Sequence, residues 1–149
     1  MKKGFSLIEL LVVVAIIGVL AGAGIVGYQG YLDGVKKDTA KNQATQLLRA
    51  LQAAQISADA GLSGQEGCGP DDSLASCLGA LGSTLESPYQ TARVTSSNIA
   101  AACNTAGTHF QTGTTPPNTA MKSLDAVTLT LTACDGTNAV TDANDSITF

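Results

Sequence analysis

From Leu10 to Leu32 the chain runs for 23 residues without a charged side chain, apolar on every face of any helix it could form. At about 1.5 Å rise per residue such a helix exceeds the roughly 30 Å hydrocarbon core of a bilayer, so the segment can span one. From Val35 the pattern changes. Val35, Ala40, Ala44, Leu47, Leu48, Leu51, Ala54 and Ala58 recur at three- and four-residue steps, with Lys36, Lys37, Lys41, Asn42, Arg49 and Gln52 between them, which is one apolar stripe on an otherwise polar helix. Nothing interrupts the helix before Gly61, placed where a C-terminal cap is wanted. The pattern thus predicts one helix from Phe5 to about Ala60, roughly 80 Å long. Gly18, Gly22, Gly24, Gly27, Gly30 and Gly34 each weaken its first half by about 1 kcal/mol relative to alanine, but in lipid no water competes for the backbone and the helix holds. Gly18 and Gly22 also form a G-x-x-x-G, a spacing that lets helices approach closely.

Beyond Gly61 turn residues dominate: Gly61, Gly64, Gly67 and Gly69-Pro70 mark a loop, and Asp72 to Leu81 reads as a short helix capped by Asp72 or Ser73. Ala126 to Cys134 alternates Val127, Leu129, Leu131 and Ala133 against Thr128, Thr130 and Thr132, a half-buried strand whose apolar face should pack on the helix stripe. Asp135-Gly136-Thr137-Asn138 supplies turn chemistry, with further short strands expected at Ala139 to Thr141 and Ser146 to Phe149. Gly113 to Asn118, containing Pro116-Pro117, reads as a surface loop. The fold class is therefore α+β: a long N-terminal helix packed on a small antiparallel β-sheet head. The segments are 1–4, a short basic leader; 5–34, the membrane-competent helix half; 35–60, the amphipathic half; and 61–149, the head.

Charge orients the chain. Lys2 and Lys3 precede the span and the bulk of the sequence follows it, which places the head outside the cytoplasm by the positive-inside rule. Residues 61–149 hold eight acids against Arg93 and Lys122, within a chain of net charge −4. An acidic head lacks the basic patch that nucleic acid requires, so direct nucleic-acid binding is not expected. No enzyme emerges either. His109 is the single histidine, read here as a solvated loop residue, and no nucleophile elbow, phosphate loop or carboxylate pair in a pocket is present. No cofactor and no metal are called for; there is no C-x-x-C pair for zinc. Asp135, Asn138, Asp142, Asn144 and Asp145 offer oxygen ligands but lack the spacing of a calcium loop and read as turns. Asn144-Asp145-Ser146 is a glycosylation sequon by composition only.

One carboxylate, Glu9, lies at the start of the apolar run, where an ionisable group needs a partner such as an amine. A secretory signal peptide would have a shorter apolar region with its cleavage site beyond it. Here the small residue, Gly4, precedes the run, so cutting there would leave the anchor on the mature chain. The sequence Lys3-Gly4-Phe5-Ser6-Leu7-Ile8-Glu9-Leu10 closely resembles the leader junction of type IV prepilins and related pseudopilins. The resemblance is specific through Tyr28 and Tyr31 and only architectural afterwards; many family members carry proline at the position of Val26, which this chain does not.

The resemblance implies cleavage after Gly4 by a prepilin peptidase, N-methylation of Phe5, and pairing of Glu9 with the terminal amine of a neighbouring subunit. Phe5 and Glu9 are four residues apart, and helix geometry alone leaves both an internal and an intersubunit contact open. It further implies a structural subunit of a type IV pilus: an inner-membrane prepilin that polymerises with identical subunits into an extracellular filament for adhesion, motility or DNA uptake. Its partners would be membrane lipid before assembly, the peptidase and the inner-membrane assembly machinery. A pseudopilin of a type II secretion system would share Gly4, Phe5 and Glu9, and a membrane-anchored minor pilin acting as a binding module is the third alternative.

The four cysteines, Cys68, Cys77, Cys103 and Cys134, all follow the span, where an oxidising compartment permits two disulfides. Three connectivities are possible. Pairing nearest neighbours gives a small loop, Cys68 to Cys77, and a larger one, Cys103 to Cys134, the larger being worth somewhat over 3 kcal/mol by chain entropy. The resemblance also points to a C-terminal disulfide at Cys103 and Cys134.

Overall fold

A computed structural model describes residues 4–62, 65–90, 93–103, 108–113, 118–124, 128–136 and 138–149. Several expectations fall outside those residues: the leader before Gly4, Gly64 of the loop, Pro116-Pro117, Ala126 and Val127 of the strand, and Thr137 of the turn. The Asp142 side chain is outside the description too. The chain divides into two units, Met1–Val35 and Lys36–Phe149.

In the first unit, helix α1 (Leu7–Asp59) begins one turn after Gly4. Ser6 supplies the first carbonyl, accepting from the Glu9 and Leu10 amides at 3.1 and 3.2 Å, so Phe5 lies just before the helix rather than in it. Helix ends set by the first hydrogen-bonded turn commonly differ from pattern-based limits by one or two residues. Every described side chain from Gly4 to Val35 is exposed.

The second unit contains the rest of α1, helix α2 (Leu74–Leu81), single-turn 3-10 helices at Ser96–Asn98 and Met121–Ser123, and strands β1 (Ile99–Ala100), β2 (Thr108–Gln111), β3 (Thr128–Gly136) and β4 (Ala139–Thr148). The stripe residues Ala40, Ala44, Leu47, Leu48, Leu51 and Ala58 are buried in one cluster with Leu74 and Leu78 of α2, Phe110 of β2, and Leu129, Leu131 and Ala133 of β3. The period-2 alternation of β3 thus meets the 3.6-period stripe of α1, each burying the face that water disfavours. Helix α1 ends in a Schellman cap: Gly61 takes φ 72°, its amide donates to Ala58 O at 2.9 Å, and the Leu62 amide donates to Ser57 O at 2.9 Å. Only glycine adopts that φ without a Cβ penalty. Of the two caps considered for α2, Ser73 takes the role, its hydroxyl accepting from the Ser76 amide. Asp72 instead accepts from the Gly69 amide.

The sheet corrects the reading in three places. It has four strands in the order β1-β2-β3-β4, antiparallel from β2 to β4 but with β1 parallel to β2. Two residues are too few to leave an alternation in the sequence. The pieces expected at Ala139 to Thr141 and Ser146 to Phe149 are one ten-residue strand, because pairing with β3 carries extended structure through the polar stretch between them; Thr132 pairs Asn144 and Leu131 pairs Asp145. The turn before it closes through the Asp135 amide on Asn138 O and the Asn138 amide on Asp135 Oδ1, each 3.0 Å. Finally, β2 was not anticipated, and it carries His109 into the interior.

Cys68 bonds to Cys77 and Cys103 to Cys134. The second bridge ties the segment after β1 to β3 across a sequence separation of 31. Replacing Cys103 and Cys134 together by serine is expected to lower stability by about 2–5 kcal/mol, read as a reduced thermal midpoint of the detergent-solubilised chain; an unchanged midpoint would contradict it.

Candidate functional site

Gly4, Phe5 and Glu9 form a consecutive, open segment. A Cβ added at Gly4 would meet nothing within 4 Å, and residues 4–6, before α1 and outside any helix or strand, are all exposed. Phe5 is 82% exposed. Glu9 stands in the first turn of α1, where a negative charge interacts favourably with the unpaired amides of the helix N-terminus. It makes no ion pair among the described residues. Around it the exposed side chains are Leu7, Ile8, Leu10, Leu11 and Val12. The arrangement is thus a lone carboxylate on an apolar rod, suited to accept one cation where water is excluded. Because Phe5 precedes the helix, the shared-face argument for an internal amine contact loses its geometric basis.

The other residues singled out do different work. The four cysteines are all in disulfides. Asp135 Oδ1 is engaged in the β3–β4 turn, and Asp145 Oδ1 accepts from the Ser146 amide at 2.9 Å; among the described residues no group of three His, Cys, Asp or Glu converges on a metal position. His109, expected in a solvated loop, is 1% exposed in β2, and neither ring nitrogen has a hydrogen-bond partner among the described residues. The short run Thr108-His109-Phe110-Gln111 gave too little pattern to read as a strand.

Burial pushes the His109 imidazole below the usual histidine value. The unfolded chain therefore binds the proton first, at about pH 6.5, so the contribution of neutral His109 is fully present above that pH and is lost as pH falls below it. The thermal midpoint is expected to drop between about pH 7.5 and about pH 5, and His109→Leu to flatten that drop. Equal slopes for both proteins would overturn the assignment.

With this geometry in place, comparison with known proteins is informative. The family described as "Prokaryotic N-terminal methylation motif" matches residues 1–25. Fimbrial protein Q of Moraxella bovis is 41% identical over 61 residues, which is 41% of this chain and 34% of that protein. A fimbrial protein of Pseudomonas aeruginosa is 42% identical over 61 residues, 41% of this chain and 35% of its own length. Type IV major fimbrial protein FimA of Dichelobacter nodosus is 34% identical over 94 residues, 63% of this chain and 53% of its own length. The matches therefore span from about a third to about half of these relatives. No solved structure matches the chain.

Proposed function

We propose that the chain, whose N-terminal region is similar to that of type IV pilins, is a structural, non-enzymatic subunit of a type IV pilus. In this reading a prepilin peptidase cuts after Gly4 and Phe5 is N-methylated. The processed chain waits in the inner membrane with residues 61–149 outside the cytoplasm, and the assembly machinery then transfers it into an extracellular filament of identical subunits. The observation that carries the reading is the first half of α1: a helix long and apolar enough to cross a membrane, with none of that stretch buried within the chain, and with the carboxylate of Glu9 at the start of its uncharged run. Such a surface needs either lipid or copies of itself, because leaving it in water forfeits roughly 25 cal/mol for each Å² of apolar area. Copies related by a repeated rotation and translation bury it without limit, which is the geometry of an open helical filament. Glu9 then supplies register, its carboxylate meeting the Phe5 amine of the next copy, since a misplaced copy leaves both charges unpaired in an apolar core.

The test is to express the full chain in a pilus-assembling host, shear the cells, and combine electron microscopy of the sheared material with intact-mass analysis. Long filaments whose subunit starts at N-methylated Phe5 and lacks four hydrogens relative to the free thiols would support pilus, processing and both bridges. A processed chain confined to the membrane would count against the pilus role and favour the secretion pseudopilus or the anchored minor subunit.

A further inference from the structure

Over residues 36–49 the four bases Lys36, Lys37, Lys41 and Arg49 outnumber the one acid, Asp38, while the charges from residue 50 to residue 66 are the acids Asp59 and Glu66 alone. Lys36, Lys37, Lys41 and Arg49 are the basic residues of α1, all exposed, and none makes an ion pair among the described residues. At the other end stand Asp59 and Glu66, also exposed and without an ion pair among the described residues. Asp59 is the last residue of α1, and no basic residue stands in that last turn. A carboxylate there faces the negative end of the helix dipole, so its position costs the isolated chain stability instead of adding to it. Beside it lie Ile56 and Leu62, 70% and 63% exposed, the two large apolar side chains beyond Val35 that are left in water among the described residues. Leu62 follows the Schellman glycine, where an apolar residue usually packs back on the helix; here it points away from cover.

Lys41 and Asp59 are 18 residues apart, five turns at about 3.6 residues per turn, so they lie on the same face of α1 about 27 Å apart. Two copies placed side by side in register would set Lys41 against Lys41 and Asp59 against Asp59. A stagger of about 27 Å replaces both repulsions by one attraction. We propose that a second copy of this chain docks in this staggered way, with Asp59, Ile56 and Leu62 of one copy on the Lys36, Lys37 and Lys41 collar of the next. The contact is heterologous, so it repeats along an open assembly. Ile56 and Leu62 exclude water from the ion pair and strengthen it, which an exposed pair would lack at the roughly 8 Å screening length of physiological salt. This contact rests on the filament reading above and names a surface for it.

The experiment uses the full-length chain in the pilus-assembling host with Lys41→Asp, Asp59→Lys and the two combined. Each single change is expected to lower sheared filament roughly tenfold by placing like charges together, and the combined reversal to restore it to within about twofold. Processed subunit in the membrane should stay at the wild-type level in all three. Asp59→Lys should also raise the thermal midpoint, because lysine suits a helix C-terminus, so its loss of filament is not a folding defect. Normal filament from both single variants, or no recovery in the combined one, overturns the contact while leaving the filament reading in place. A Lys41→Asp chain that assembles normally but is retained less well by phosphatidylglycerol vesicles assigns the collar to lipid headgroups and also overturns it. If the unaltered chain forms no filament, the filament reading falls and this contact with it.

Discussion

Replacing Glu9 with alanine is expected to leave processed subunit in the membrane at or above the wild-type level and to reduce sheared filament by roughly 100-fold or more. The two effects separate because they draw on different physics. A carboxylate within an apolar span opposes insertion by up to a few kcal/mol, less near an end; alanine removes that opposition. In a packed filament core the neighbouring terminal amine would remain with no counter-charge, and stranding one partner of a buried pair costs about 3–5 kcal/mol for each subunit added, at tenfold in equilibrium per 1.4 kcal/mol. Glu9→Gln should behave like alanine if charge is what matters, since the amide keeps the shape and hydrogen-bonding capacity without the charge. The measurement is a quantitative immunoblot of sheared and membrane fractions from the same cells. Normal filament yield from Glu9→Ala would remove the registry role, whatever the rest of the helix does.

Gly79→Ala is expected to destabilise the second unit by about 2 kcal/mol or more, lowering its thermal midpoint by about 10 °C. Helix propensity alone predicts the opposite, since alanine is favoured over glycine inside a helix by about 1 kcal/mol. The clash decides the sign. A Cβ at Gly79 would lie 2.3 Å from Ser96 N, 2.9 Å from Thr95 C and 3.0 Å from Ser96 Cα, and these are backbone atoms with no rotamer to move aside. They belong to the 3-10 turn Ser96–Asn98 and its N-cap, where the Thr95 amide donates to Asn98 Oδ1 and the Asn98 side chain donates to Arg93 O, so a shift there propagates into β1. Gly30→Ala is the control, because nothing lies within 4 Å of its added Cβ. The disulfide contribution to the near-UV circular dichroism of the detergent-solubilised chain reads the melting of the second unit, which holds both bridges, whereas Tyr28 and Tyr31 of α1 lie in the first. Equal midpoints for wild type and Gly79→Ala would show that α2 can draw away from Thr95 and Ser96 freely.

Those two residues mark how far a sequence reading reaches. Glu9 was legible because it breaks a long monotonous pattern, and its meaning depends on the surroundings the pattern itself specifies. Gly61 was legible because one glycine after a sustained stripe is a local signal, and the Schellman hydrogen bonds appear at that position. Gly79 carried no such signal: in a segment with several glycines, nothing local says that Ser96 will arrive against it. His109 misled for a related reason. A histidine flanked by threonine and phenylalanine near turn residues reads as a loop, and only pairing of β2 with β1 and β3 encloses it. The middle of β4 was equally hidden, since Asp142, Asn144 and Asp145 disfavour strands by propensity, and Asn144 and Asp145 are held extended by their partners Thr132 and Leu131 on β3.

What the sequence determined by itself is whatever depends on residues near one another along the chain. That includes the apolar span with Glu9 at its start, the change to an amphipathic stripe at Val35, the cap at Gly61, a cap for α2 at Asp72 or Ser73, and the alternation of β3. Periodicity of hydrophobic burial and local hydrogen bonding suffices for each. The tertiary structure alone decided the strand order and the parallel join of β1, the burial of His109, the close approach at Gly79, and which apolar residues, Ile56 and Leu62, are left without cover. Each of these turns on segments distant in sequence meeting in space, where strand pairing and close packing outweigh the weak local preferences of the residues involved.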